Sequence, residues 1–170
     1  RVKSVFSKHS DQLFFEKMLT PEEREHIAPA DTFNFCVVSA RRAETLEGQH
    51  DMMLVEAQFR IMGVTPTWYV DAPSLDSYKA LSLKAIVGGK LTPARNLALD
   101  NAAQQGKVCV QVSDDISMWE YYDVKKLVGG QGDFSKMNAA VAKGKRYTLS
   151  PLGAAQFILA KMRSHPSKPQ

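Results

Sequence analysis

Two acids stand side by side in "KVCVQVSDDISMW", at Asp114 and Asp115, where an apolar run stops. Neighbouring carboxylates repel, and removing water from them raises the cost further. A divalent cation relieves both penalties. Mg²⁺ or Mn²⁺ takes oxygen ligands, commonly one or two carboxylates, with water and substrate phosphates completing the shell. A metal held there neutralises a diphosphate leaving group. The plainer alternative is that one acid caps a helix beginning near Ser117 while the other faces water.

The elements before the acids alternate. A capping box, Thr20 with Pro21 and Glu23, opens a short helix. "TFNFCVVSA", Thr32 to Ala40, reads as a first strand. Glu44 to Met62 reads as a helix closed by Gly63, with Leu46, Met53, Leu54, Ala57 and Ile61 on one apolar face. "TPTWYVDA" is a second strand ending on Asp71, and "PSLDSYKALSL" a short helix. "KAIVGGK" is a short strand or bend. Thr92 is expected to cap a helix with Pro93 in its first position, running to Gln105 and stopped by Gly106. "KVCVQV" follows as a strand. Beyond Trp119 the pattern weakens, with a strand expected from Tyr147 and a final helix from Pro151.

Such alternation predicts an α/β fold: a three-layer sandwich whose mainly parallel sheet is covered on both faces. Residues 1–31 are expected to be a tail and a short helix, 32–163 the domain, and 164–170 a tail. In sheets of this kind ligands bind at the carboxyl ends of the strands. Three strands end on polar groups: Ser39-Ala40-Arg41, Asp71, and Ser113-Asp114-Asp115.

A chain of 170 residues, 44% hydrophobic and 24% charged, suits one globular domain. Its net charge of +4 permits an anionic partner without requiring one. Cys36 and Cys109 lie in apolar runs and read as buried free thiols, not a ligand pair, as in a reducing, cytoplasmic or nuclear compartment. No run approaches a membrane span and no signal peptide is visible. The chain opens without Met, as a fragment or processed product would.

Several chemistries lack their residues. No Gly-x-Gly-x-x-Gly follows the first strand, and Gly88-Gly89-Lys90 does not continue as a Walker loop. "GGQGDF" reads as a flexible loop. His9, His26 and His50 are scattered, and no base stands near Cys109. Lys125, Lys126, Lys143, Lys145 and Arg146, with Tyr121, Tyr122 and Tyr147 nearby, could grip phosphates and stack bases. A solvated face over core tyrosines is the stronger expectation.

"LTPARNLALDNAAQQGKVCVQVSDDISMW" has a particular order: a helix with Arg-Asn in its first turns, a glycine, an apolar strand, a double acid. It resembles the donor-binding half of GT-A-fold glycosyltransferases, nucleotide-diphospho-sugar transferases in which an Ala-Arg-Asn helix precedes an Asp-x-Asp-type motif. Ala94, Arg95, Asn96, Ser113, Asp114 and Asp115 are the matching residues. The resemblance implies Mn²⁺ or Mg²⁺ on Asp114 and Asp115, and Arg95 on the diphosphate, where a guanidinium pairs bidentately. It also implies Ser39, Arg41 and Asp71 on the nucleoside, with Arg42 a weaker candidate.

Within that fold the chain looks most like the TET/JBP-associated glycosyltransferases, the group that includes the proposed base-J glucosyltransferase. "FCVVSARRAETL", "TPTWYVDA" and "YTLSPLGAAQFI" extend the likeness from about Thr32 to Ile158. It implies UDP-glucose as donor and a hydroxymethylated pyrimidine in DNA as one acceptor. Two departures stand out. The motif reads Ser-Asp-Asp, and only 55 residues follow Asp115 to build an acceptor site. The catalytic base is unassigned, since spacing singles out neither Asp123 nor Asp133, and His165 lies in the expected tail. The expectation is therefore a metal-dependent glycosyltransferase; the alternative is a non-catalytic nucleotide- or protein-binding module on the same half-fold.

Overall fold

The computed structural model describes residues 6–123 and 144–166. In chain order its elements are α1 (Lys8–Met18), α2 (Pro21–Arg24), β1 (Phe33–Val38), α3 (Leu46–Ile61), β2 (Thr67–Val70) and α4 (Leu75–Ala80). Then come β3 (Ala85–Val87), α5 (Leu91–Gln104), β4 (Val108–Val112), β5 (Trp119–Asp123), β6 (Lys145–Leu149) and α6 (Pro151–Ser164). The first four strands form a parallel sheet in the order β3-β2-β1-β4. The fold is α/β, as the alternation predicts.

Side chains alternate across the sheet and meet different helices. Phe33, Phe35, Val37, Trp68 and Val70 pack with Met52, Val55 and Phe59 of α3, Tyr78 of α4 and Leu152 and Ala155 of α6. Cys36 and Tyr69 face the other way and pack with Ala94 and Ala98 of α5. Helices thus meet both faces of the sheet.

The buried face of α3 is not the expected one. Leu46 is 84% exposed, and Met53 and Ile61 are exposed too, whereas Gly48, Met52, Val55 and Phe59 are buried. The helix carries two apolar stripes, and Gly48 selects between them. A Cβ at Gly48 would lie 2.1 Å from the Arg42 carbonyl oxygen, so only a glycine on that face lets the first turn close on the preceding loop. Glu56, fully buried on the same helix, accepts Trp68 Nε1 at 2.9 Å and Arg60 Nε at 2.7 Å, tying α3 to β2. A buried carboxylate needs such partners.

The N-terminus also differs from expectation. Lys8 begins a helix capped by Ser7, with Ser10 reciprocating, so residues 8–10 are not tail. Phe14, Phe15, Phe157, Tyr121 and Tyr147 join α1, α6 and the antiparallel pair β5–β6 in a second cluster. Phe14 lies edge-on to Phe157 at 5.0 Å and to Tyr121 at 5.4 Å. Tyr121 and Tyr147 are half-buried rings packed on this cluster, and Arg146 pairs with Glu120 at 3.3 Å. Strand β5 carries too many charged and polar residues to stand out in the sequence. Lys125, Lys126, Asp133, Lys143 and the "GGQGDF" stretch fall outside the described residues.

Asp11 of α1 is buried where α6 begins. Its carboxylate accepts the Ser150 backbone N–H at 3.0 Å and the Ser150 hydroxyl. Burial raises its pKa, against the opposing effect of these bonds. Cys36 is buried and Cys109 half-buried, both as free thiols, and burial pushes Cys36 up to about 12. No helix among the described residues is long and apolar enough to cross a membrane.

Candidate functional site

The carboxyl ends of the parallel strands open onto two adjoining clefts. One, of about 440 Å³, is walled by Arg41, Asp71, Lys90 and Asp114 among others. Its neighbour, of about 480 Å³, is walled by Arg95, Gln111, Ser113 and Asp114. Val38, Leu91 and Asp114 belong to both.

Arg41 sits just after β1 with φ 62°, in the left-handed region. Its N–H donates to Ser74 Oγ at 2.9 Å, and its guanidinium lies 3.8 Å from Asp71. Asp71 also caps the turn after β2, accepting Ser74 N–H at 3.2 Å. Arg41 and Asp71 thus share one wall of the first cleft.

Arg42 reaches the acids instead. Its guanidinium lies 3.6 Å from Asp51, 3.5 Å from Asp114 and 3.6 Å from Asp115. The Asp114 charge, first among its neighbours, holds the Arg42 pKa above its usual value. This is how the chain tolerates adjacent carboxylates. The helix-capping alternative fails: the acids form a turn, and residues 116–118 run without helix into β5. Gln58 Nε2 pins that loop by donating to the Ile116 carbonyl at 2.7 Å.

Ser39 and Ser113 support the acids. Ser113 Oγ donates to Asp115 at 2.5 Å. Ser39 Oγ donates to Asp114 and lies 2.6 Å from the buried Tyr78 hydroxyl. Burial raises the Tyr78 pKa, so that hydroxyl keeps its proton. Ser39, expected as a nucleoside contact, lines the first cleft with its hydroxyl proton on Asp114.

Arg95 lines the second cleft, and its guanidinium makes no ion pair among the described residues; its carbonyl accepts Gln111 Nε2 at 2.9 Å. Asn96, one position further round α5, lines neither cleft. Thr92 does not cap this helix. Lys90 holds the N-cap position without a side-chain bond, so the first amides of α5 lack a side-chain cap beside the first cleft. Gly89, at φ 85°, and a cramped Gly88, whose Cβ would lie 2.9 Å from Ala94 Cβ, set up this approach. Sequence reasoning tested Gly88-Gly89-Lys90 only against a Walker loop. The signal it passed over was a Gly-Gly-Lys at a strand end opening a helix, a geometry suited to anions.

Among the described residues no three His, Cys, Asp or Glu side chains converge to hold a metal. Asp114 and Asp115 are hard oxygen donors of the type Mg²⁺ or Mn²⁺ prefers. The cluster of Asp51, Asp114, Asp115 and Arg42 sets three carboxylates against one guanidinium, leaving two negative charges in excess. That balance suits a dication held by two carboxylates and completed by ligand phosphates. Comparison with family models, curated proteins and solved structures gives no match.

Proposed function

We propose that this chain binds a nucleotide-sugar across the two clefts and transfers the sugar to a hydroxyl acceptor, as a GT-A-type glycosyltransferase domain. The observation that carries this reading is the convergence of Arg41, Asp71, Lys90, Arg95 and Asp114 on adjoining clefts at the carboxyl ends of a parallel sheet. Arg41 and Asp71 would hold the nucleoside. Lys90 and Arg95 flank the shared wall and would bracket the diphosphate, offsetting the negative charge that develops as the sugar leaves. Asp114 and Asp115 would hold Mn²⁺ or Mg²⁺, which when bound neutralises the leaving diphosphate. In keeping with the family resemblance, UDP-glucose is the donor to try first and a hydroxymethylated pyrimidine in DNA one acceptor.

Arg42 favours a second reading. It pairs with both acids and offsets part of their charge without a metal, as a non-catalytic nucleotide-binding module would require. Calorimetric titration with UDP-glucose, with and without Mn²⁺, separates the two. A transferase domain binds only with metal, and Asp114→Asn/Asp115→Asn abolishes binding. Metal-independent binding without sugar release supports the module. No binding across a small panel of nucleotide-sugars sinks the transferase reading and leaves a protein-binding module.

A further inference from the structure

Asp114 is held from behind by a chain of hydroxyls. Ser39 Oγ donates to Asp114 Oδ2. A serine hydroxyl has one proton, so Tyr78, whose oxygen lies 2.6 Å from Ser39 Oγ, must be the donor in their shared bond. The Tyr78 oxygen in turn accepts the Arg42 backbone N–H at 3.3 Å. Every bond then has a fixed direction: Arg42 N–H to Tyr78, Tyr78 to Ser39, Ser39 to Asp114. Tyr78 is fully buried, edge-on to Trp68 at 6.0 Å, so the core and not the solvent locates its hydroxyl. The other Asp114 oxygen takes no hydrogen bond among the described residues.

We propose that Tyr78 is a positioning residue for the ligand site: through Ser39 it fixes which Asp114 oxygen stays bound to the protein and leaves the other for the ligand. The same phenol oxygen anchors the Arg42 main chain, so both halves of the Arg42–Asp114 pair are referenced to one atom. The identity of the ligand rests on the nucleotide-sugar reading; the relay does not.

A double-mutant cycle on Tyr78→Phe and Ser39→Ala tests it, read by UDP-glucose affinity with Mn²⁺ and checked by melting temperature. Tyr78→Phe keeps the ring and removes only the hydroxyl. Loss of one such bond is expected to weaken binding about fivefold in the wild-type background. In the Ser39→Ala background, where only the Tyr78 bond to the Arg42 N–H is left to lose, it should add clearly less than that fivefold. Equal losses in both backgrounds would overturn the proposal, because a merely structural tyrosine acts regardless of Ser39. Should the wild type bind no nucleotide-sugar, the functional reading falls while the relay is still read by proton NMR. A slowly exchanging Ser39 hydroxyl resonance, absent in Ser39→Ala and moved by both Tyr78→Phe and Asp114→Asn, supports it. No protected resonance, or one indifferent to those changes, overturns it.

Discussion

Arg42 stands within ion-pairing reach of three carboxylates and is the side chain on which the acid pair depends. Removing it leaves Asp114 and Asp115 to repel each other. Because the guanidinium is about a third exposed, solvent screens much of the interaction. Arg42→Ala should cost about 1 kcal/mol at neutral pH. The loss should shrink as added salt screens the charges, and adding Mn²⁺ should restore stability. Urea unfolding at low and high salt, with and without metal, checks this; a salt-independent loss would mean that Arg42 contributes only packing. From the sequence, the acids were legible because two like charges after an apolar run demand compensation. The compensating residue was not, because an arginine at a strand end looks the same whether it faces a ligand or an acid.

The contact between α3 and the loop before it decides where Arg42 points. Gly48 touches the Arg42 backbone, and any Cβ there must displace it. Gly48→Ala is expected to destabilise the fold by roughly 1–3 kcal/mol, the usual range for overpacking. It should also weaken nucleotide-sugar binding by shifting the guanidinium off the acids. Thermal unfolding and the same calorimetric titration report the two effects; an unchanged melting temperature would show that the loop yields without cost. The strands of the parallel sheet and the helices between them were readable because apolar runs and helix stops punctuate the chain clearly. The rotation of α3 was not, since periodicity finds apolar stripes but cannot choose between two of them. That choice is steric and lies with the one residue lacking a side chain.

Across the whole molecule, α6 joins the parallel sheet to the α1–β5–β6 cluster, and Asp11 fastens α1 to the start of α6. Its raised pKa means that the folded state binds the proton more tightly than the unfolded chain. The stability that this contributes is fully present below the unfolded value near 3.8 and is lost as pH rises through the folded value. Asp11→Asn removes that dependence. Measured by urea unfolding, the variant should gain on the wild type as pH rises from below 3.8 toward neutrality, and parallel curves would refute this. Subtracting one protein from the other cancels Glu22 and Glu23, whose pKa values are lowered. This contact was hidden in the sequence because its partners are 139 positions apart. The separation also bears on how the chain is made. Translation at some 5–20 residues per second puts on the order of ten seconds between the appearance of Asp11 and that of Ser150. Throughout that interval Phe14 and Phe15 lack the Phe157 ring that covers them in the finished fold. Helix α1 is therefore among the last of these elements to dock, and a nascent chain halted before α6 would present the uncovered rings of α1 to chaperones and proteases.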